Sequence, residues 1–218
     1  MPFPTPDTIH PVTLPDGTAL PMNVFLNAVI DHPRIEIGDY TYASDFNPPA
    51  DPADWQARIA PYIFLFSQER LIIGKFGQFA HGVRFITASA NHKMDGFSTF
   101  PFPIFEPNRL MTYSQTLPMG RDTGIGHDVW IGMNAIIMPG AQIGNGVIVG
   151  AGSVVSGTVP DYAVVAGNRA EVLKMRFNDE TIERLNAIAW WNWPIETILA
   201  HEEAITGVDL DRLENATV

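Results

Sequence analysis

From Ile125 to Pro160 the chain repeats every six residues. Ile125, Ile131, Ile137, Ile143, Val149 and Val155 hold a strict period of six, and Gly follows four of them. A single amphipathic helix would space its apolar residues at 3.6, and a half-buried strand would space them at two. Period six fits a solenoid in which each hexapeptide is one short flat side plus a turn. The aliphatic residue then points into the stacked interior. Glycine after it supplies small size and backbone freedom where the chain bends.

This pattern is that of the left-handed parallel β-helix, an exception to the right-handed crossover of parallel strands. Its coil has three sides, so residues eighteen apart stack: Ile125 under Ile143, and Ile131 under Val149. The expected fold class is mostly β, with a protruding loop and a C-terminal helical cap. At 218 residues and 46% hydrophobic composition the chain can bury one sizeable core.

Bulk charge and composition exclude several functions. The formal net charge of −11 argues against a broad nucleic-acid surface or an anionic membrane surface as partner. No apolar run reaches transmembrane length, and MPFPTPDTIHPVTLPDG lacks the charged and apolar regions of a signal peptide. With no cysteine there are no disulfides or thiolate metal sites, and a cytoplasmic location is expected.

Three segments follow from the pattern. Residues 1–34 read as a Pro-rich N-terminal arm lying over the coil or over a neighbour. Residues 35–177 read as the β-helix, starting at Ile37-Gly38 and interrupted by excursions at 44–70 and 87–123. Ile73, Phe79 and Phe85 continue the period of six between the two interruptions. The second excursion is too aromatic for disorder, and an ordered loop of that length is a good place for a site. Residues 178–218 change to helical spacing, with Asn178 as N-cap and Ile182, Leu185, Ile188 and Ala189 as an apolar stripe. Trp190, Trp191 and Trp193 read as packing, and these helices as a cap over the open end of the solenoid.

Several motifs together resemble the hexapeptide-repeat xenobiotic acetyltransferases, the type B chloramphenicol and streptogramin A (virginiamycin) enzymes. They are Gly38-Asp39-Tyr40-Thr41-Tyr42, Asn91-His92-Lys93-Met94-Asp95-Gly96, Ser98-Thr99-Phe100-Pro101-Phe102, Gly126-His127-Asp128-Val129-Trp130-Ile131-Gly132 and Trp190-Trp191-Asn192-Trp193-Pro194. The resemblance implies a homotrimer with active sites between subunits. It also implies acetyl transfer from acetyl-CoA to a hydroxyl of a small-molecule acceptor such as an antibiotic.

Such a transfer needs a base for the hydroxyl proton, donors for the developing oxyanion, and a dry cleft. Neutral imidazole is the natural base near neutral pH. Among His10, His32, His81, His92, His127 and His201, only His92 lies in the long excursion, and it matches the family's catalytic histidine. His127 sits at a non-inward repeat position and reads as a solvated side chain. The resemblance places Tyr42, Pro101, Phe102, Leu117, Pro118 and Trp130 around the acceptor. It places Gly132, Met133, Ala151 and Ser156 along the CoA arm, and Arg169, Lys174 and Arg176 near its phosphates. At Asn168-Arg169-Ala170-Glu171 the chain departs from the family's usual Asn-Pro-Ala-Lys.

Other readings stay open. The acceptor could be a sugar or another metabolite. Zinc on His81, His92 and His127 would suit a γ-type carbonic anhydrase, but these histidines lack that family's register, so no metal is expected. A non-catalytic scaffold is the remaining alternative.

Overall fold

The computed structural model describes residues 2–117 and 120–216. The chain winds around three parallel ladders, visiting each in turn. Face one stacks Ile35–Ile37, Leu71–Ile73, Thr123–Ile125, Gln142–Ile143 and Thr158–Val159. Face two stacks Tyr42–Ser44, Gln78–Phe79, Trp130–Ile131, Ile148–Val149 and Ala163–Ala166. Face three stacks Arg84–Phe85, Ile136–Ile137 and Val154–Val155. Ile143 pairs with Ile125, and Val149 with Ile131, the eighteen-residue register expected from the repeat. All six periodic residues from Ile125 to Val155 are at most 4% exposed. Burying an aliphatic side chain of this size contributes about 1.5–3 kcal/mol.

Glycine after the inward residue is required where adjacent coils touch. A Cβ on Gly74 would lie 2.5 Å from the Gly126 carbonyl oxygen and 2.6 Å from its carbon. Backbone cannot yield there as a flexible side chain could.

The first coil has no strand on face three. The helix Trp55–Ile59 stands in its place, within the stretch read as an excursion. Trp55 and Ile59 are one turn apart and so share a helix face, and both are buried in the main core with Ala60 and Ile63. Part of 44–70 is therefore a wall of the coil. The Phe79 and Phe85 rings meet edge to face inside it, 5.3 Å apart.

The N-terminal arm packs on its own chain. Asn23–Phe25 runs antiparallel to Tyr42–Ser44, and Val24 and Leu26, both fully buried, close the first coil.

Asn178 caps the helix Asp179–Ile188, its side-chain oxygen accepting from Thr181 N at 2.9 Å. This helix and the turn Trp190–Asn192 after it do not lie over the open end. They run along the corner between faces one and two, where Trp190 meets Phe76 at 5.1 Å and His127 stacks on Trp191 at 5.1 Å. The reason is polar and aromatic complementarity: Asn186 donates to Asp161 and accepts from Asn145 along that corner. At the end of the coil Glu171–Met175 pairs antiparallel with Ala163–Ala166, and Ala170 packs on the core. Among the described residues no helix is long and apolar enough to cross a membrane.

Candidate active site

The excursion that carries His92 leaves the coil at the corner between faces three and one. Its neck is tied to the end of the first excursion. Glu69, 3% exposed, accepts from Ser89 N at 2.7 Å, and the Ser67 and Ser89 hydroxyls are 2.7 Å apart. Burial alone would raise the Glu69 carboxyl. Hydrogen bonds from its own backbone, Ser89 and Thr87 outweigh it and hold the carboxyl below its usual value. At the far end of the excursion Arg70 N donates to Asp122 at 2.7 Å, and Thr123 N donates to the Arg70 carbonyl at 2.9 Å. Ala88 and Gly120 face each other across the neck.

Beyond the turn Ala88–Ala90, His92 is exposed, and its Nδ1 lies 3.0 Å from the Thr99 carbonyl oxygen. A carbonyl can only accept, so Nδ1 carries the proton. Nε2 then keeps its lone pair, the state a general base needs. His92 borders a cleft of about 270 Å³ with Pro101, Leu117, Tyr62, Phe64 and Glu69. The cleft joins residues of both excursions, so its walls come from 62–69 as well as from the loop itself.

Of the other residues expected around the acceptor, Tyr42, Phe102 and Trp130 lie elsewhere. Tyr42, Gln78 and Trp130 stand in register on the outer surface of face two. They border a second cleft of about 210 Å³ with Phe46, His81 and Met133. Within one chain, then, Tyr42 and Trp130 do not share the cleft of His92, because face two turns away from the corner that the excursion leaves. Phe102 is exposed and packs on Phe100 with ring centroids 4.7 Å apart, outside the His92 cleft. Pro118 lies outside the described residues.

A bacterial transferase hexapeptide family model, of six repeats, matches residues 122–157. A probable macrolide acetyltransferase of Lysinibacillus sphaericus is 46% identical over 153 residues, 69% of this chain and 85% of the relative. The chain belongs to the hexapeptide-repeat xenobiotic acetyltransferase family. A chloramphenicol acetyltransferase of Agrobacterium fabrum is 37% identical over 184 residues, 81% of this chain and 84% of that one. A virginiamycin A acetyltransferase of Staphylococcus aureus is 34% identical over 192 residues, 87% of this chain and 85% of that one. Among solved structures, a maltose O-acetyltransferase from Clostridium difficile 630 matches with a TM-score of 0.45 and 26% identity, over 67% of this chain. The chain spans 61% of that structure's length, less than two thirds. As a xenobiotic acetyltransferase the protein is an acyltransferase.

The residues that the family resemblance assigns to the acetyl donor divide between two corners. Gly132, Met133 and Ala151 lie on the corner between faces two and three. There a Cβ on Gly132 would stand 2.6 Å from Ala151 N, and the Met133 carbonyl accepts from Gly152 at 2.8 Å. Ser156 lies on the next corner, after Val154–Val155, and is exposed. Arg169 and Lys174 are exposed. Arg176, expected near the CoA phosphates, is half-buried. It donates to the Gly146 carbonyl at 2.6 Å, and its guanidinium lies 5.5 Å from the Tyr162 ring and 5.4 Å from the Phe177 ring. Those contacts hold it in the packing of the corner between faces one and two.

His127 departs from the solvated role read for it. It is half-buried, accepts from Lys75 N at 2.9 Å and stacks on Trp191, with burial and then Lys75 lowering its pKa. Among the described residues no group of three or more His, Asp or Glu is placed to hold a metal ion.

Sequence reasoning missed two clusters. One is Glu69 with Ser67 and Ser89 at the neck of the excursion. The other is Asp45 with Arg58 and His81 beside the second cleft. Neither has a local signal, since their members come together only through the coil.

Proposed function

We propose that the protein is a homotrimeric acetyl-CoA-dependent O-acetyltransferase, built on a left-handed β-helix and acting in the cytoplasm on a hydroxyl of an antibiotic-like small molecule. His92 is its general base. The observation that carries this reading is the 3.0 Å contact of His92 Nδ1 with the Thr99 carbonyl, which leaves Nε2 unprotonated on a residue that borders a largely apolar cleft.

In this mechanism Nε2 takes the proton of the acceptor hydroxyl as its oxygen attacks the thioester carbonyl of acetyl-CoA. The carbon–sulfur bond then breaks, and the imidazolium returns the proton to the departing thiolate. The products are an acetyl ester and free CoA, and His92 is again neutral. The Thr99 carbonyl holds the ring orientation by accepting a hydrogen bond from Nδ1–H. Placing a second copy so that its Tyr42 and Trp130 face the His92 cleft would enclose the acceptor from both sides. That need supports the trimer.

The donor and acceptor are tested together. Purified protein is mixed with acetyl-CoA and, in separate reactions, with chloramphenicol, a streptogramin A and maltose, and free thiol is measured. Thiol release with at least one of the two antibiotics, well above the acceptor-free rate, is expected. Release with maltose alone would move the acceptor to the sugars, and no release with any of them would contradict the reading.

A further inference from the structure

The second cleft contains an imidazole that the reaction above does not use. Its lining is aromatic and aliphatic at Tyr42, Phe46, Trp130 and Met133, and His81 is its titratable nitrogen group. The His81 side chain is 30% exposed, and its ring lies 5.2 Å from that of Phe46.

Behind His81 stands a built carboxylate. The Asp45 side chain is 2% exposed. Its Oδ2 accepts from Arg58 Nε at 2.8 Å. Its Oδ1 accepts from Arg58 Nη2 at 3.0 Å and from Asn47 N at 2.8 Å. The same oxygen lies 2.6 Å from His81 Nδ1. A bidentate guanidinium and a backbone N–H leave that carboxylate no freedom to turn away. Burial would raise its pKa, but Arg58, Asn47 and His81 together hold it below the ordinary value.

The tautomer of His81 follows. Phe46 N also points at Nδ1, from 3.3 Å. One ring nitrogen cannot both accept from Phe46 and donate to Asp45. The 2.6 Å contact with an ionised acceptor decides, because an unprotonated Nδ1 there would set two lone pairs against each other. Nδ1–H therefore donates to Asp45. Nε2, unbonded among the described residues, is the nitrogen left to the cleft, and on the neutral ring it is a hydrogen-bond acceptor.

Under the proposed function Tyr42 and Trp130 already face the acceptor; we infer that His81, in the same cleft, adds a contact in which its Nε2 takes a hydrogen bond from a second O–H or an amide N–H of the acceptor molecule. The rings of Tyr42, Phe46 and Trp130 cover an apolar part of the same molecule. The ligand class is thus an alcohol with an apolar ring or chain and one further hydrogen-bond donor besides the hydroxyl that is acetylated. His81 is a specificity-determining residue. Its role rests on the proposed O-acetyl transfer, and Asp45 with Arg58 positions it.

The test uses the 218-residue chain with chloramphenicol and a streptogramin A as probes. Each probe is first titrated without acetyl-CoA into protein carrying 15N-labelled histidine and tryptophan. The His81 Nε2 and Trp130 indole resonances are expected to move for at least one probe. Steady-state kinetics then compare the wild type with His81→Ala and His81→Gln. His81→Ala is expected to raise the acceptor KM about tenfold, the loss of one hydrogen bond. The acetyl-CoA KM should stay within about twofold, and His81→Gln, which keeps an acceptor oxygen, should restore part of the loss.

The subsite is overturned if neither resonance moves with either probe, whether or not thiol is released. It is also overturned if His81→Ala leaves the acceptor KM unchanged or raises both KM values alike. Movement of both resonances without thiol release supports the subsite and contradicts the transfer reaction. If His81→Ala does not fold, the titration of unaltered protein decides alone.

Discussion

His92 Nδ1 lies 3.0 Å from the carbonyl oxygen of Thr99, seven residues further along the same excursion. The loop thus fixes the tautomer of its own histidine through backbone alone, and no acidic partner is required. Nitrogen chemical shifts of the His92 ring in the free protein should show Nδ1 protonated and Nε2 bare at pH values where the ring is neutral. The opposite tautomer would remove the Thr99 contact from the account.

Glu69 is expected to govern how well that excursion is held. Its carboxylate accepts the Ser89 N–H at the base of the loop, and a hydrogen bond to a charged group is worth about 1.5–3 kcal/mol. Glu69→Ala should lower the melting temperature by several degrees and speed hydrogen exchange between Ala90 and Leu117. Glu69→Gln, which keeps an acceptor oxygen, should do less of both. Unchanged exchange in the loop of the alanine variant would show that the neck is held by other contacts.

Asp128 should make stability depend on pH. Its carboxyl is pushed up from 3.8 to about 6, by burial first, against the lowering effects of Arg176 and the Gln78 side chain. A carboxyl with a raised folded pKa favours the folded state below its unfolded value. That contribution is lost as pH rises from about 4 through about 6. Asp128 also has φ of 53°, a region that asparagine tolerates well. Asp128→Asn should therefore gain stability relative to the wild type as pH rises from 4.5 to 7.5, by about 1–2 kcal/mol. Parallel melting-temperature curves for the two proteins would refute this.

The spacing of the coils predicts a sharp glycine contrast. Gly74→Ala would push a methyl into the backbone of Gly126 and should cost about 1–3 kcal/mol or more. Gly207→Ala meets nothing within 4 Å and should change stability by no more than about 1 kcal/mol. Chemical denaturation of both variants measures the contrast, and equal effects would contradict the packing described.

The inward register of the coil was readable because one residue in six is aliphatic, from Ile125 to Val155, and all six are buried. Asn178 and the paired Trp190 and Trp191 were readable for similar reasons, as a cap beside an amphipathic run and as large apolar rings. The helix Trp55–Ile59 was not, since five residues are too few to show a helical period inside a Pro-rich stretch. The strand Glu171–Met175 escaped because all its residues are exposed, so its pairing left no alternation to detect.

At the site, the sequence showed where His92 stands but not what holds it. Thr99 acts through a carbonyl, which every residue has. Glu69 reaches Ser89 across twenty residues, and Asp45 reaches His81 across thirty-six, distances that only the winding of the coil brings to contact. The same winding separates Tyr42 and Trp130 from His92 within one chain.

Whether His92 is the base is tested most directly by the turnover of His92→Ala. With an acceptor that the wild type acetylates, kcat should fall by about two to four orders of magnitude, with the melting temperature and oligomeric state unchanged. A His92→Ala protein that still transfers acetyl groups within tenfold of the wild-type rate would contradict that role.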